Sequence, residues 1–151
     1  MIGFERILAL NAAHEVETSR LDRAALVEML KTAFHSATEG DGRDGFLIAF
    51  DQHAAYSSQN FLWFKARYDR FVYVDRVIVA AHARGRGLAR RFYQDLFDCA
   101  REAGHERIVC EINLEPPNAV SLAFHRAMGF AEVGQAELGS GKLVSYQLAK
   151  L

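Results

Sequence analysis

Proline is scarce in this chain: two residues of 151, standing side by side at Pro116 and Pro117. That excludes a proline-rich linker and leaves one rigid loop. Cysteine is equally scarce. Cys99 and Cys110 are the only two, and without C-x-x-C spacing they make neither a disulfide framework nor a thiolate zinc site. Two buried free thiols in a reducing cytoplasm are the expectation. Neither sign of charge is in excess: 18 Lys and Arg face 19 Asp and Glu, for a net charge of −1. Such a balance does not suggest a nucleic-acid or membrane-surface binder. No apolar run approaches the roughly 20 residues that span a bilayer. The first eleven residues carry Glu5 and Arg6 and lack a basic start, a long apolar stretch and a cleavage signal, so no signal peptide is expected. Internal repeats, low-complexity tracts and inter-domain linkers are also missing.

What is present is apolar. Half the residues are hydrophobic and a quarter charged, enough for a sizeable core in one domain spanning 1–151. Residues 5–10 read as a first short strand and 11–20 as loop or short helix. Ser19 or Asp22 caps a helix running to about His35, with Leu21, Ala25, Leu26, Met29, Leu30 and Ala33 on one face. The glycine- and charge-dense stretch 38–44 reads as a mobile loop. Residues 46–50 form a continuous apolar run, expected to be a buried strand. The polar segment 51–60 leads to an aromatic short helix over 61–68. Residues 71–79 read as the longest strand, 83–86 as a turn, and 87–103 as an amphipathic helix burying Leu88, Phe92, Leu96, Cys99, Ala100 and Ala103. A strand at 107–113 follows, then a helix over 118–128 with Asn118 as N-cap and Gly129 as stop. Residues 130–135 and 142–148 form a hairpin around Gly139-Ser140-Gly141. The pattern is α/β, with helices packed on a mixed sheet.

Arg84-Gly85-Arg86-Gly87-Leu88-Ala89 lies where a strand turns into a helix. A helix start leaves backbone N–H groups free, and the helix dipole makes that end positive, so the turn suits a phosphate or pyrophosphate. Gly85 and Gly87 lack a Cβ and let the backbone approach closely. Arg84 and Arg86 add charge-assisted bonds, whereas Arg90 and Arg91 read as a solvated helix face. A P-loop is excluded because G-x-x-x-x-G-K-[ST] is absent, and the full G-x-G-x-x-G of a dinucleotide site is absent too.

Residues 74–130 resemble the acyl-CoA core of the GNAT (Gcn5-related) N-acetyltransferase superfamily. Arg84 to Ala89 match its Q/R-x-x-G-x-G/A motif, and Val77-x-Val79 matches the end of its central strand. Asn118, Ala119, Ser121, Leu122, Phe124 and Met128-Gly129-Phe130 match its second motif, N-x-x-[SA]-x-x-[FL]-[YH]-x-x-x-G-F. Residues 1–70 match poorly. Of the hairpin that usually precedes the central strand only 46–50 is evident, and 51–68 reads as an insertion in the region that often shapes the acceptor pocket. Asp51, His53 and Tyr56 are its candidate pocket residues.

The resemblance implies an open mixed sheet, an acyl-CoA co-substrate, no metal, and acetyl transfer to an amine by direct attack in a ternary complex. No cysteine stands in either motif to carry an acyl group. The cofactor-binding residues it implies are Val77, Ile78, Val79, Arg84, Gly85, Arg86, Gly87, Leu88, Ala89, Asn113, Asn118, Ser121 and His125. A backbone N–H near Ile78 or Val79 is expected to face the thioester carbonyl. Glu111 is the first candidate for the base that deprotonates the amine, and Asp75 the second, with an ion pair to Arg76 as its alternative role. His125 departs from the family, since many relatives carry tyrosine there to protonate the departing thiolate. A protonated imidazole is the expected replacement, and a histidine of no function its alternative. The runner-up function is a non-catalytic acyl-CoA-binding or sensing module. A cytoplasmic location, no nucleic-acid or membrane partner, and a possible homodimer complete the reading; the acceptor amine is not written in the sequence.

Overall fold

The computed structural model describes residues 3–16 and 18–151. Met1, Ile2 and Glu17, which the sequence reading places in the N-terminal segment and the 11–20 loop, lie outside the described residues. The elements run α1 (Phe4–Ala12), α2 (Arg23–Thr32), β1 (His35–Glu39), β2 (Gly45–Asp51), α3 (Gln59–Lys65), β3 (Val72–Val79), α4 (Leu88–Glu102), β4 (Arg107–Glu115), α5 (Ala119–Ala127), β5 (Ala131–Glu137) and β6 (Leu143–Lys150). One mixed sheet orders them β1-β2-β3-β4-β6-β5, with β3 and β4 parallel and the other neighbours antiparallel.

Local signals set the element ends. Asp22 caps α2 by accepting from Ala25 N, Ser58 caps α3 through Phe61 N, and Asn118 caps α5 through Ser121 N. Gly104 and Gly129, with φ of 82° and 99°, take the left-handed turn that follows α4 and α5. The structure corrects four expectations. Residues 5–10 are helix, not strand: six apolar-rich residues carry too short a period to separate the two, and Ile7 and Asn11 are the buried turn of α1. Thr38 and Glu39 belong to β1 rather than a loop, held in register opposite Phe46 and Gly45. The hairpin before the central strand is therefore present. The longest strand is β4, not β3. Finally, α4 turns Tyr93 to the core, while Ala103 is exposed and Cys99 only half-buried.

Two apolar layers sandwich the sheet. On one face α4 packs Leu88, Phe92, Tyr93, Leu96 and Ala100 against Leu47, Ala49, Val72, Val74, Ile108, Cys110 and Ile112. On the other, Ile7, Leu26 and Met29 of α1 and α2 and Phe61 and Phe64 of α3 cover Phe46, Ile48, Phe50, Tyr73, Val109, Val144 and Tyr146. A bulge breaks the alternation in β3. Val74 pairs with Ala49 and Arg76 with Ile48, so Asp75 is an extra residue between them. Before it, even-numbered residues of β3 face α4; after it, Arg76 and Ile78 face α1 and α2.

Candidate active site

β3 and β4 pair only at Val72–Ile108 and Tyr73–Val109. Beyond these positions the strands separate, and the β3 edge toward β4 carries no ladder bonds. Two cavities open into the gap. One is a groove of about 650 Å³ along Val77, Ile78 and Val79, the 84–87 turn and the first turn of α4. The other, about 410 Å³, reaches Tyr56, Asn60, Tyr73, Asp75 and Glu111. Thr18, Val77, Asn118, Ser121 and His125 line both, so the cavities join there.

At the far end of the groove, Gly85 and Gly87 have φ of 82° and 71°. A Cβ built on either meets no atom within 4 Å, so the space above the turn is open. The first helical bond is Arg91 N to Gly87 O, which leaves the N–H groups of Leu88, Ala89 and Arg90 as free donors. Free donors at a helix start with open space above them have the geometry to receive an anionic group such as a pyrophosphate. The arginines divide differently from the sequence reading. Arg84 lines the groove near His14, as expected. The side chain of Arg86 turns away and donates to His82 O, while Arg90, read as solvated helix face, is on the groove. The helix rotation sets this: Arg90 completes the turn that Gly87 begins.

Glu111, half-buried at the floor of the second cavity, accepts from Tyr73 Oη at 2.8 and 2.9 Å on its two oxygens and from Asn60 Nδ2 at 2.9 Å on Oε1. Burial, then the charge of Asp75, pushes its pKa up to about 7, against the lowering effect of those hydrogen bonds. Asp75 is already engaged. Tyr56 Oη donates to its Oδ1 at 2.5 Å and Arg76 Nε to Oδ2 at 2.6 Å. Arg76 in turn donates to Asn11 Oδ1 and to the carbonyl and hydroxyl of Ser19. Adjacent strand residues normally point to opposite faces; the bulge lets these two meet. The ion-pair alternative for Asp75 therefore has the geometry.

Burial lowers the His125 pKa below its usual 6.5, so the expected protonated imidazole is disfavoured near neutral pH. Its Nδ1 lies 2.7 Å from Ser121 O. A carbonyl only accepts, so Nδ1 carries the proton, and Nε2 accepts from Tyr93 Oη at 2.6 Å. Asn113 also departs from expectation. Its amide donates to Val16 O, and it lines the second cavity rather than the groove along the 84–87 turn. Lys142 Nζ donates to the same carbonyl, so β4 and the turn before β6 tie the α1–α2 loop over the gap. Asn118 is both N-cap and lining, and Ser121 stands beside it on the groove. Of the insertion residues, Tyr56 lines the cavity; Asp51 only bonds His53 N, and neither reaches the site. Asn60, Tyr73, Tyr93 and Thr18 were missed by sequence reasoning, and no local motif marks them. Among the described residues no group of three or more His, Cys, Asp or Glu is placed to hold a metal ion, and no helix is long and apolar enough to cross a membrane.

The model of the acetyltransferase (GNAT) family matches residues 12–130. The chain belongs to the GNAT family. It is an acyltransferase of that family. Solved structures share the fold across nearly all of it. Ard1 from Thermoplasma volcanium is 12% identical with a TM-score of 0.73, over 98% of this chain and 90% of that one. Ribosomal-protein-alanine N-acetyltransferase from Brucella melitensis is 23% identical with a TM-score of 0.69, over 98% and 94%. The NatC complex bound to Gag peptide and CoA is 14% identical with a TM-score of 0.72, over 98% and 90%. No curated protein sequence matches the chain. The sheet of this GNAT chain is mixed and open, with α3 between β2 and β3.

Proposed function

We propose that the protein transfers an acetyl group from acetyl-CoA to an amine by direct attack in a ternary complex. The observation that carries the reading is the junction of the two cavities at Val77, Asn118, Ser121 and His125. A thioester lying along the groove presents its carbonyl, through the gap between β3 and β4, to an amine on the other side. The glycine turn and the first N–H groups of α4 hold the pyrophosphate, with Arg84 and Arg90 beside it. The unpaired edge of β3 receives the amide-rich pantetheine arm as a strand would be received. A backbone N–H near Ile78 or Val79 stabilises charge building on the carbonyl oxygen.

Glu111 is the base. An alkylammonium has a pKa of about 10 and must lose a proton before attack. A carboxylate with a pKa of about 7 is ionised for part of the population at neutral pH and basic enough to take that proton. Asp75, with both oxygens engaged, is the weaker candidate. The sulfur that leaves has a thiol pKa of about 8.5 and needs no strong acid; the proton lost by the amine balances the one the thiolate gains. His125, neutral and bonded at both nitrogens, holds the groove wall rather than donating.

Structures of similar fold are named for ribosomal-protein-alanine acetylation and for a complex with Gag peptide. A peptide N-terminal amine is accordingly the first acceptor class to test, ahead of small amines. The test is acetyl-CoA-dependent thiol release across peptides of varied N-terminal residue, free amino acids, polyamines and aminoglycosides, with acetyl-CoA binding measured separately. Release above background in one class is expected. Confirmed binding with no release in any class overturns the reading and leaves an acyl-CoA-binding module.

A further inference from the structure

α3 stands between β2 and β3, in the segment the sequence reading took as an insertion, and its Trp63 packs it against the β5–β6 hairpin. The Trp63 ring stacks on Tyr146, centroids 4.2 Å apart and 22° from parallel. The guanidinium of Arg67 covers Trp63, 3.8 Å from its ring centroid, and donates to its carbonyl. Gly134 of β5 leaves room for the indole, since a Cβ there would lie 2.5 Å from Trp63 Cζ2. Phe61 and Phe64, fully buried, fix the opposite side of the helix. The helix so held carries Asn60. Tyr146 Oη donates to Asn60 Oδ1 at 2.9 Å, which sets the orientation of the amide, and Nδ2 then donates to Glu111 Oε1 at 2.9 Å.

We propose that Asn60 is a positioning residue for the acetyl-transfer base, and that α3 exists to hold its amide against Glu111. The inference rests on the assignment of Glu111 as base. Asn60 makes the two carboxylate oxygens unequal. Oε1 accepts from Asn60 and shares the single Tyr73 hydroxyl hydrogen with Oε2, which has no other side-chain donor among the described residues, so Oε2 is the oxygen left to take a proton from the amine. A donor to the charged form also favours ionisation, which offsets the burial of Glu111 and the charge of Asp75. Without the amide the base would be protonated over more of the neutral range. Tyr146 acts one step back, by preventing the amide from turning its oxygen to the carboxylate.

The test is the Glu111 titration, followed by carboxyl carbon NMR of glutamate-labelled protein, with Glu111→Gln identifying the signal. Asn60→Ala is expected to move the midpoint up by about one pH unit, the worth of one hydrogen bond to a charged group. Tyr146→Phe and Gly134→Ala, which keep the Asn60 side chain but loosen its hold on the carboxylate, are expected to shift it in the same direction by less. In kinetics the acid limb of kcat/KM moves up by the same amount in Asn60→Ala, with KM for acetyl-CoA unchanged. An unmoved midpoint in Asn60→Ala, or in Tyr146→Phe where Asn60→Ala does not fold, overturns the inference and leaves the base assignment standing if Glu111→Gln is inactive. Full activity in Glu111→Gln overturns the base assignment and the inference together.

Discussion

The hydroxyl of Tyr93 in α4 donates to Nε2 of His125 in α5 at 2.6 Å, and both side chains are buried. The bond replaces the water each group would otherwise keep and ties the helix that starts at the phosphate turn to the helix that lines the groove. Tyr93→Phe leaves Nε2 buried and unpaired, at a cost of about 1–3 kcal/mol. Urea denaturation should show that loss; an unchanged midpoint would mean the bond contributes nothing. A neutral His125 also predicts that His125→Gln leaves the basic limb of kcat/KM where it was.

Asp75 and Arg76 form an ion pair whose side chains are 5% and 4% exposed. Asp75→Asn strands the arginine charge, and breaking a buried pair costs about 3–5 kcal/mol. The same substitution removes the second cause of the raised Glu111 pKa. The acid limb of the rate profile should therefore move to lower pH while the unfolding free energy falls. A limb that stays fixed would show that Asp75 does not act on Glu111.

Gly87, at φ of 71° with open space above it, caps the start of α4. Gly87→Glu places a carboxylate where a pyrophosphate would sit and is expected to lower acetyl-CoA affinity at least about tenfold, given the strength of charge-assisted contacts. Gly87→Asn tolerates the left-handed conformation and serves as the folded control. Calorimetric titration of both decides it: equal affinities would move the phosphate site elsewhere.

His35 Nε2 and His105 Nδ1 are buried without a hydrogen-bond partner among the described residues. Burial lowers both pKa values below 6.5, with Arg70 adding to the effect at His105. Each ring favours the neutral form when folded, so its stabilising contribution is complete above about pH 6.5 and is lost as pH falls from there toward the native value. Glu111 works in the opposite sense, because its raised pKa makes the native state bind a proton first as pH falls from about 7. The difference between variants isolates the histidines. His105→Phe keeps a ring against Phe34 and should flatten the decline in Tm between pH 7 and 5 relative to the unaltered protein. An identical slope would exclude His105 from acid destabilisation.

The segments read correctly from sequence are those whose signals lie within a turn or two of the chain. The strand–glycine–helix run at 84–89, the Asn118 cap and the Gly129 stop each depend on neighbours a few residues away. β1 was missed because His35 to Glu39 carry little strand preference; pairing with β2 makes them a strand. Arg90 rather than Arg86 lines the groove because helix rotation, not composition, decides which side chain faces it.

By itself the sequence determined the family and the glycine turn that opens α4, and it marked Glu111 as a candidate, since local backbone geometry and residue chemistry are written in consecutive positions. Tertiary structure decided the rest. The bulge at Asp75, the parting of β3 from β4, and the Tyr93–His125 and Asn60–Glu111 bonds join residues that are distant in the chain or depend on strand register. Register and packing are settled only when the whole sheet forms, and they are what turn a paired Asp75, a neutral His125 and an oriented Glu111 into three different chemistries.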